Sequence, residues 1–77
     1  MACAMILINT EAGLDTKAAK TLKKLKGVSS VCLVSGLYDV VATVKADSTE
    51  GVLKLVYDKV RVIDGVEASH TMFCMEV

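Results

Sequence analysis

Residues 1–77 are expected to form a single α+β domain of ferredoxin-like type: β-α-β-β-α-β, a four-stranded antiparallel sheet with two helices on one face. Three features of the sequence lead there. Short β-branched runs alternate with segments of helical period in that order. The chain also repeats itself at an offset of 38 residues: Ile6 matches Val44, Leu14 matches Val52, Ala18 matches Val56, Leu22 matches Val60, Leu25 matches Ile63, and Gly27-Val28 matches Gly65-Val66. Two β-α-β halves of this kind, each with a right-handed crossover, close into the four-stranded fold. Finally, the strands are apolar on both sides, which anticipates a sheet covered on its second face too.

The first strand is predicted over Ala2–Ile8 and a loop over Asn9–Gly13. A helix starts at Asp15 or Thr16 and runs to about Lys26, because Leu14, Ala18, Leu22 and Leu25 recur at spacings of 4, 4 and 3. Lys17, Lys20, Lys23, Lys24 and Lys26 take the other side; a solvated polar face competes there with a phosphate-binding patch. Gly27 is a fitting stop, and the late lysines suit the negative end of the helix dipole. The second strand is predicted over Val28–Ser35 and the third over Asp39–Ala46. Asp47 or Ser48 then caps the second helix, and Asp47 with Glu50 has capping-box spacing. Val52, Leu55, Val56, Tyr57, Val60 and Ile63 supply its apolar positions; Glu50, Lys54, Asp58 and Arg61 form a solvated ladder of alternating charge. Gly65 ends this helix as Gly27 ends the first, and Val66–Val77 is the last strand.

In the first strand Ala2, Ala4, Ile6 and Ile8 lie on one side, and Met1, Cys3, Met5 and Leu7 on the other. The second strand sets Cys32 and Val34 against Val31 and Leu33, and the third sets Val40, Ala42 and Val44 against Val41 and Thr43. A sheet with one wet face would alternate apolar with polar. Composition agrees: 53% of residues are apolar, while a chain this short buries only about 60–65% of its unfolded surface. A homo-oligomer resolves the excess.

Nine Lys plus Arg balance nine Asp plus Glu, so there is no electrostatic surface dedicated to nucleic acid, and direct DNA binding is not expected. The run Met1–Ile8 is too short for a membrane span and lacks the basic start of a signal peptide, so it reads as a strand. Cys3, Cys32 and Cys74 are odd in number and far apart, and His70 is the lone histidine; no metal site or cofactor is expected. Buried free thiols in a reducing cytoplasm fit this pattern. No catalytic residue emerges either: no nucleophile stands by a base, Asp39 and Asp64 make no acid/base pair, and the glycines form no phosphate-binding fingerprint.

The chemistry that remains is at Val34-Ser35-Gly36-Leu37-Tyr38-Asp39. Ser-Gly between two β-branched runs reads as a turn between antiparallel strands. A carboxylate and a phenol beside a glycine turn make a small polar receptor: Asp39 suits an ammonium, and turn N–H groups suit a carboxylate. The plainer reading is a turn whose Asp caps itself.

Gly36-Leu37-Tyr38-Asp39, with Leu25-Lys26-Gly27-Val28 and Val60-Arg61-Val62-Ile63-Asp64-Gly65-Val66, resembles the effector-binding (RAM) domain of Lrp/AsnC transcription regulators over nearly all 77 residues. The resemblance implies dimers packed sheet to sheet, of the dimeric α/β-barrel type, that assemble into rings. It implies a small-molecule effector, an amino acid, held between dimers against the turn and the last strand. Carried over by position, the ligand-binding residues are Gly36, Leu37, Tyr38, Asp39 and Val41, with Ser69 and Thr71 as the hydroxyl pair of the last strand, His70 lying between them. The helix-turn-helix of full-length regulators has no counterpart, because Met1–Asn9 already forms the first strand. The expected function is therefore a stand-alone, cytoplasmic, non-enzymatic amino-acid sensor that modulates transcription through a full-length Lrp/AsnC-type partner. Two readings compete: a small dimeric α/β-barrel enzyme, monooxygenase- or isomerase-like, and a purely structural oligomerisation module.

Overall fold

Strand β1 (Ala2–Thr10) sits in the middle of the sheet because it is the one strand apolar along nearly its whole length on both sides. The structure is a computed structural model and describes residues 2–75 and 77. After β1 come α1 (Asp15–Lys23), β2 (Val28–Leu33), β3 (Val40–Ala46), α2 (Thr49–Leu55), a π-helical turn (Val56–Val60) and β4 (Val66–Cys74). The strands lie in the order β2-β3-β1-β4, all neighbours antiparallel. This is the ferredoxin-like arrangement that the order of elements predicts.

Ala4, Ile6 and Ile8 of β1 stand opposite Val44, Ala42 and Val40 of β3, and all six are fully buried. They pack with Leu22 of α1, Val52 of α2, and Val56 and Val60 of the π turn. Each large aliphatic side chain so buried contributes about 1.5–3 kcal/mol. The opposite parity faces away from the helices. There Cys3, Met5 and Leu7 stand opposite Cys74, Met72 and His70. Met5 is 38% and Met72 55% exposed, so one protomer leaves this second apolar face open. Met1, expected on that face, lies outside the described residues, as does Glu76 of the expected last strand.

Several boundaries move for identifiable reasons. β1 continues through Asn9 and Thr10 because β4 supplies partners, Ala68 and Val66, with a bulge between the two rungs. β4 stops at Cys74, whose partner Cys3 is close to the start of β1. β2 stops at Leu33; the Val34 N–H then bonds the Asp39 carbonyl at 3.0 Å and closes the turn. α1 ends at Lys23, and the chain tightens through i→i+3 bonds from Lys24 to Thr21 and from Leu25 to Leu22. Ser48, not Asp47, caps α2: its hydroxyl accepts the Gly51 N–H at 3.1 Å.

The charged ladder of the second helix is exposed, as its pattern predicts, and makes no ion pairs: the one ion pair among the described residues joins Lys17 to Asp64 at 3.9 Å, between two largely exposed side chains. Arg61 lies instead over the Tyr57 ring, 5.0 Å from its centroid. One expectation needs correction. The cysteines are not buried within the protomer: Cys32 and Cys74 are exposed and Cys3 half-buried, because all three have the parity of the open face.

Gly65 has φ +95°, and a Cβ there would come within 2.8 Å of Leu14 Cβ. Gly13 has a similar φ of +83° with nothing within 4 Å. In urea unfolding, Gly13→Ala should lose roughly 1–2 kcal/mol from backbone strain alone, and Gly65→Ala roughly 2–5 kcal/mol because overpacking adds to it. Equal losses would mean that Leu14 yields freely.

Candidate functional site

The turn from Val34 to Asp39 folds back over the end of β1 rather than projecting from the sheet. Gly36 makes this possible with φ +126°, a conformation that side chains rarely allow. The Asp39 N–H bonds the Ile8 carbonyl at 3.0 Å. The Asp39 Oδ2 accepts the Thr10 N–H at 2.8 Å and lies 3.5 Å from the Thr10 hydroxyl. Asn9 Nδ2 donates to the Leu37 carbonyl at 2.8 Å. These contacts lie beyond Ile8 and Val40, the last rung between β1 and β3, where the Thr10 N–H would otherwise lack a ladder partner. Thr10 is 8% exposed, so this carboxylate satisfies a buried donor. The Asp39 Oδ1 makes no hydrogen bond among the described residues.

The turn also reaches β4. The Tyr38 ring meets the His70 ring edge to face, centroids 5.8 Å apart at 67°. His70 stands opposite Leu7, and Leu7 opposite Val41, so Val41, Leu7 and His70 form one row across the open face. Leu37, at 87% exposure, contributes its carbonyl rather than its side chain to the packing. Of the residues singled out from the sequence, Gly36, Leu37, Tyr38, Asp39 and Val41 therefore gather at one end of the open face.

Ser69 and Thr71 do not join them within the protomer. They stand opposite Ile8 and Ile6, whose side chains are buried under the helices. They line a groove of about 520 Å³ between β4 and the second helix, with Val56, Tyr57 and Arg61 on its far wall. The π turn shapes that wall. The Arg61 N–H bonds the Val56 carbonyl five residues back at 2.9 Å, and Tyr57 and Arg61 come side by side. Its two β-branched residues, Val56 and Val60, favour regular α-helix only weakly.

Sequence reasoning missed Asn9, Thr10 and His70 at the turn, and Tyr57 with Arg61 at the groove. Only His70 carried a usable signal: its parity is opposite to that of Ser69 and Thr71. Among the described residues no cluster of three or more His, Cys, Asp or Glu side chains could hold a metal ion, and no helix is long and apolar enough to cross a membrane.

Comparison with known proteins bears on this site. The family model described as the Lrp/AsnC ligand binding domain matches residues 3–77. An HTH-type transcriptional regulator of Pyrococcus furiosus is 35% identical over 74 residues, covering 96% of this chain and 48% of the regulator. The chain spans about half the length of the curated relatives it matches. A crystal structure of a Thermus thermophilus protein superposes with a TM-score of 0.93 at 26% identity, covering 100% of this chain and 96% of that one. A Neisseria meningitidis transcriptional regulator in complex with L-Met shares the fold, with a TM-score of 0.84 at 17% identity over 97% of this chain and 50% of the regulator.

The bond from Thr10 to Asp39 makes the carboxylate part of the fold. Asp39→Ala should lower stability by about 1.5–3 kcal/mol, the usual contribution of a hydrogen bond to a charged group. Urea unfolding checks this; an unchanged midpoint would mean that water replaces the carboxylate at Thr10.

Proposed function

We infer the function of this chain from its family: it belongs to the Lrp/AsnC ligand-binding domains. It is an effector-binding module of transcription regulation, and it is not an enzyme. Its effector is a free amino acid, and it acts on transcription by associating with an Lrp/AsnC-type regulator. Its formal net charge of zero argues against a surface dedicated to binding DNA itself.

The observation that carries the amino-acid reading is the Asp39 carboxylate. Thr10 fixes one oxygen at 2.8 Å, and the other remains to receive an ammonium in a charge-assisted hydrogen bond. The Gly36 turn beside it offers backbone N–H groups for the effector carboxylate. Ser69 and Thr71, on the helix side of β4, reach the same effector only from a second subunit. An effector that touches both sets is therefore interfacial. The neighbour complexed with L-Met supports the class of ligand, since that regulator, which shares this fold over half its length, is complexed with a free amino acid.

The open sheet face supports the oligomer. Met5, Leu7, Val41 and Met72 form an apolar surface that one protomer leaves uncovered. A second copy placed sheet to sheet covers it, and rings of such dimers bring turns and β4 strands of different dimers together.

Two experiments test these statements separately. A thermal-shift screen of free amino acids should find at least one that raises the melting temperature. Asp39→Asn keeps the shape and an acceptor for Thr10 but removes the charge, so affinity should fall about ten- to a hundredfold. Undiminished binding would make Asp39 a turn lock only. Independently, Leu7→Asp places a carboxylate in the sheet-to-sheet contact at a cost of several kcal/mol, an order-of-magnitude figure. Light scattering should then register a fall from dimer or higher toward one chain. A parent protein that is already monomeric at micromolar concentration defeats the oligomer.

A further inference from the structure

We propose that Cys3 and Cys74 form a thiol–disulfide site, joined across β1 and β4 when the protein meets a low-molecular-weight disulfide. The two residues are directly opposed in the antiparallel register. Residues so opposed point to one face, with Cα atoms about 4.5 or 5.5 Å apart. A disulfide spans Cα separations of about 4.4–6.8 Å. The register therefore places the two side chains within the range a disulfide spans.

The site is also accessible. Cys74 is exposed and Cys3 half-buried. At this end of the sheet a shallow groove of about 340 Å³ is bounded by both cysteines and by Asp47, Ser48 and Thr49. In the protomer Cys74, at the end of the edge strand β4, is open to a small thiol reagent. Cys32 has no such arrangement: it stands opposite Val41 on β2, the other edge strand, with two strands between it and Cys74. It serves as an internal control.

The exchange proceeds in two displacements. The Cys74 thiolate attacks one sulfur of the reagent and expels the first small thiolate, leaving a mixed disulfide. The Cys3 thiolate then attacks the Cys74 sulfur and expels the second. Two protein thiols and one small disulfide become one protein disulfide and two small thiols. Because the second attack is intramolecular across one rung of the sheet, the mixed disulfide does not accumulate. The bond links the first strand to the last, nearly the full length of the chain, and so restricts the unfolded state strongly. It also rearranges the sulfur-rich end of the open face, next to Met5 and Met72. The proposal does not depend on the effector reading.

The test treats the protein and its Cys32→Ser, Cys3→Ser and Cys74→Ser variants with oxidised glutathione. Intact mass is then measured without reductant, and remaining thiols are counted by alkylation. Far-UV circular dichroism first establishes that each variant is folded. The parent should lose two hydrogens at Cys3 and Cys74 and carry at most one glutathione, on Cys32, and Cys32→Ser should lose two hydrogens, carry no glutathione and keep no alkylatable thiol. Cys3→Ser should stop at a glutathione adduct on Cys74. Oxidised Cys32→Ser should melt about 10 °C or more above its reduced form, reversibly with dithiothreitol. Glutathione adducts persisting on Cys3 and Cys74 of Cys32→Ser, or two alkylatable thiols remaining there under excess reagent, would overturn the proposal. A bond that forms without raising the melting temperature would refute its role as a staple.

Discussion

A strand that is apolar on both faces has a problem of register. Sliding β1 by one residue exchanges Ile6 for Leu7 at the core, and hydrophobicity alone barely objects to that exchange. Polar contacts at the end of the strand decide the matter. The Asp39 carboxylate holds the Thr10 N–H, the Asp39 N–H holds the Ile8 carbonyl, and Asn9 holds the Leu37 carbonyl. None of these survives a one-residue slip. The Thr10–Asp39 bond also satisfies a buried donor, so a slipped register would lose that as well. The positions of β3, of β4 and of both sheet faces follow from this lock.

In our reading the same carboxylate receives the effector, and the two roles support each other. A receptor group that is already held by the fold loses little freedom when a ligand arrives. Tyr38 is held too, by its edge-to-face contact with His70 on β4. The turn is thus fastened to β1 by hydrogen bonds and to β4 by a ring contact, although its own residues from Ser35 to Leu37 are exposed.

The order of elements, the buried face and the second apolar face were legible from the sequence because they rest on period alone. Ala4, Ile6 and Ile8, the Leu14-Ala18-Leu22-Leu25 stripe, and the repeat at offset 38 each state one local pattern. What escaped depends on contacts between distant segments. Asn9 and Thr10 read as loop because they are polar, yet β4 and the turn supply them with partners. The π turn escaped because Val56 and Val60 satisfy helical spacing whether the hydrogen bonds skip four residues or five. The turn residues Gly36, Tyr38 and Asp39 were legible as a polar cluster at a turn. That their neighbour is His70, and not Ser69 or Thr71, required the register of β4 against β1. The Asp39 carboxylate does not cap its own turn, the plainer reading of the sequence; it holds Thr10 at the end of β1 instead.

That separation on β4 carries a physical consequence. Ser69 and Thr71 face the groove under the second helix, while Tyr38, Val41 and His70 face the open side. An amino acid is too small to reach around a strand from one face to the other. If both sets bind one effector, two subunits must contribute, and the site exists only in the assembly. Binding and oligomerisation are then linked equilibria: whatever stabilises the interface raises affinity, and the effector stabilises the interface by the same factor.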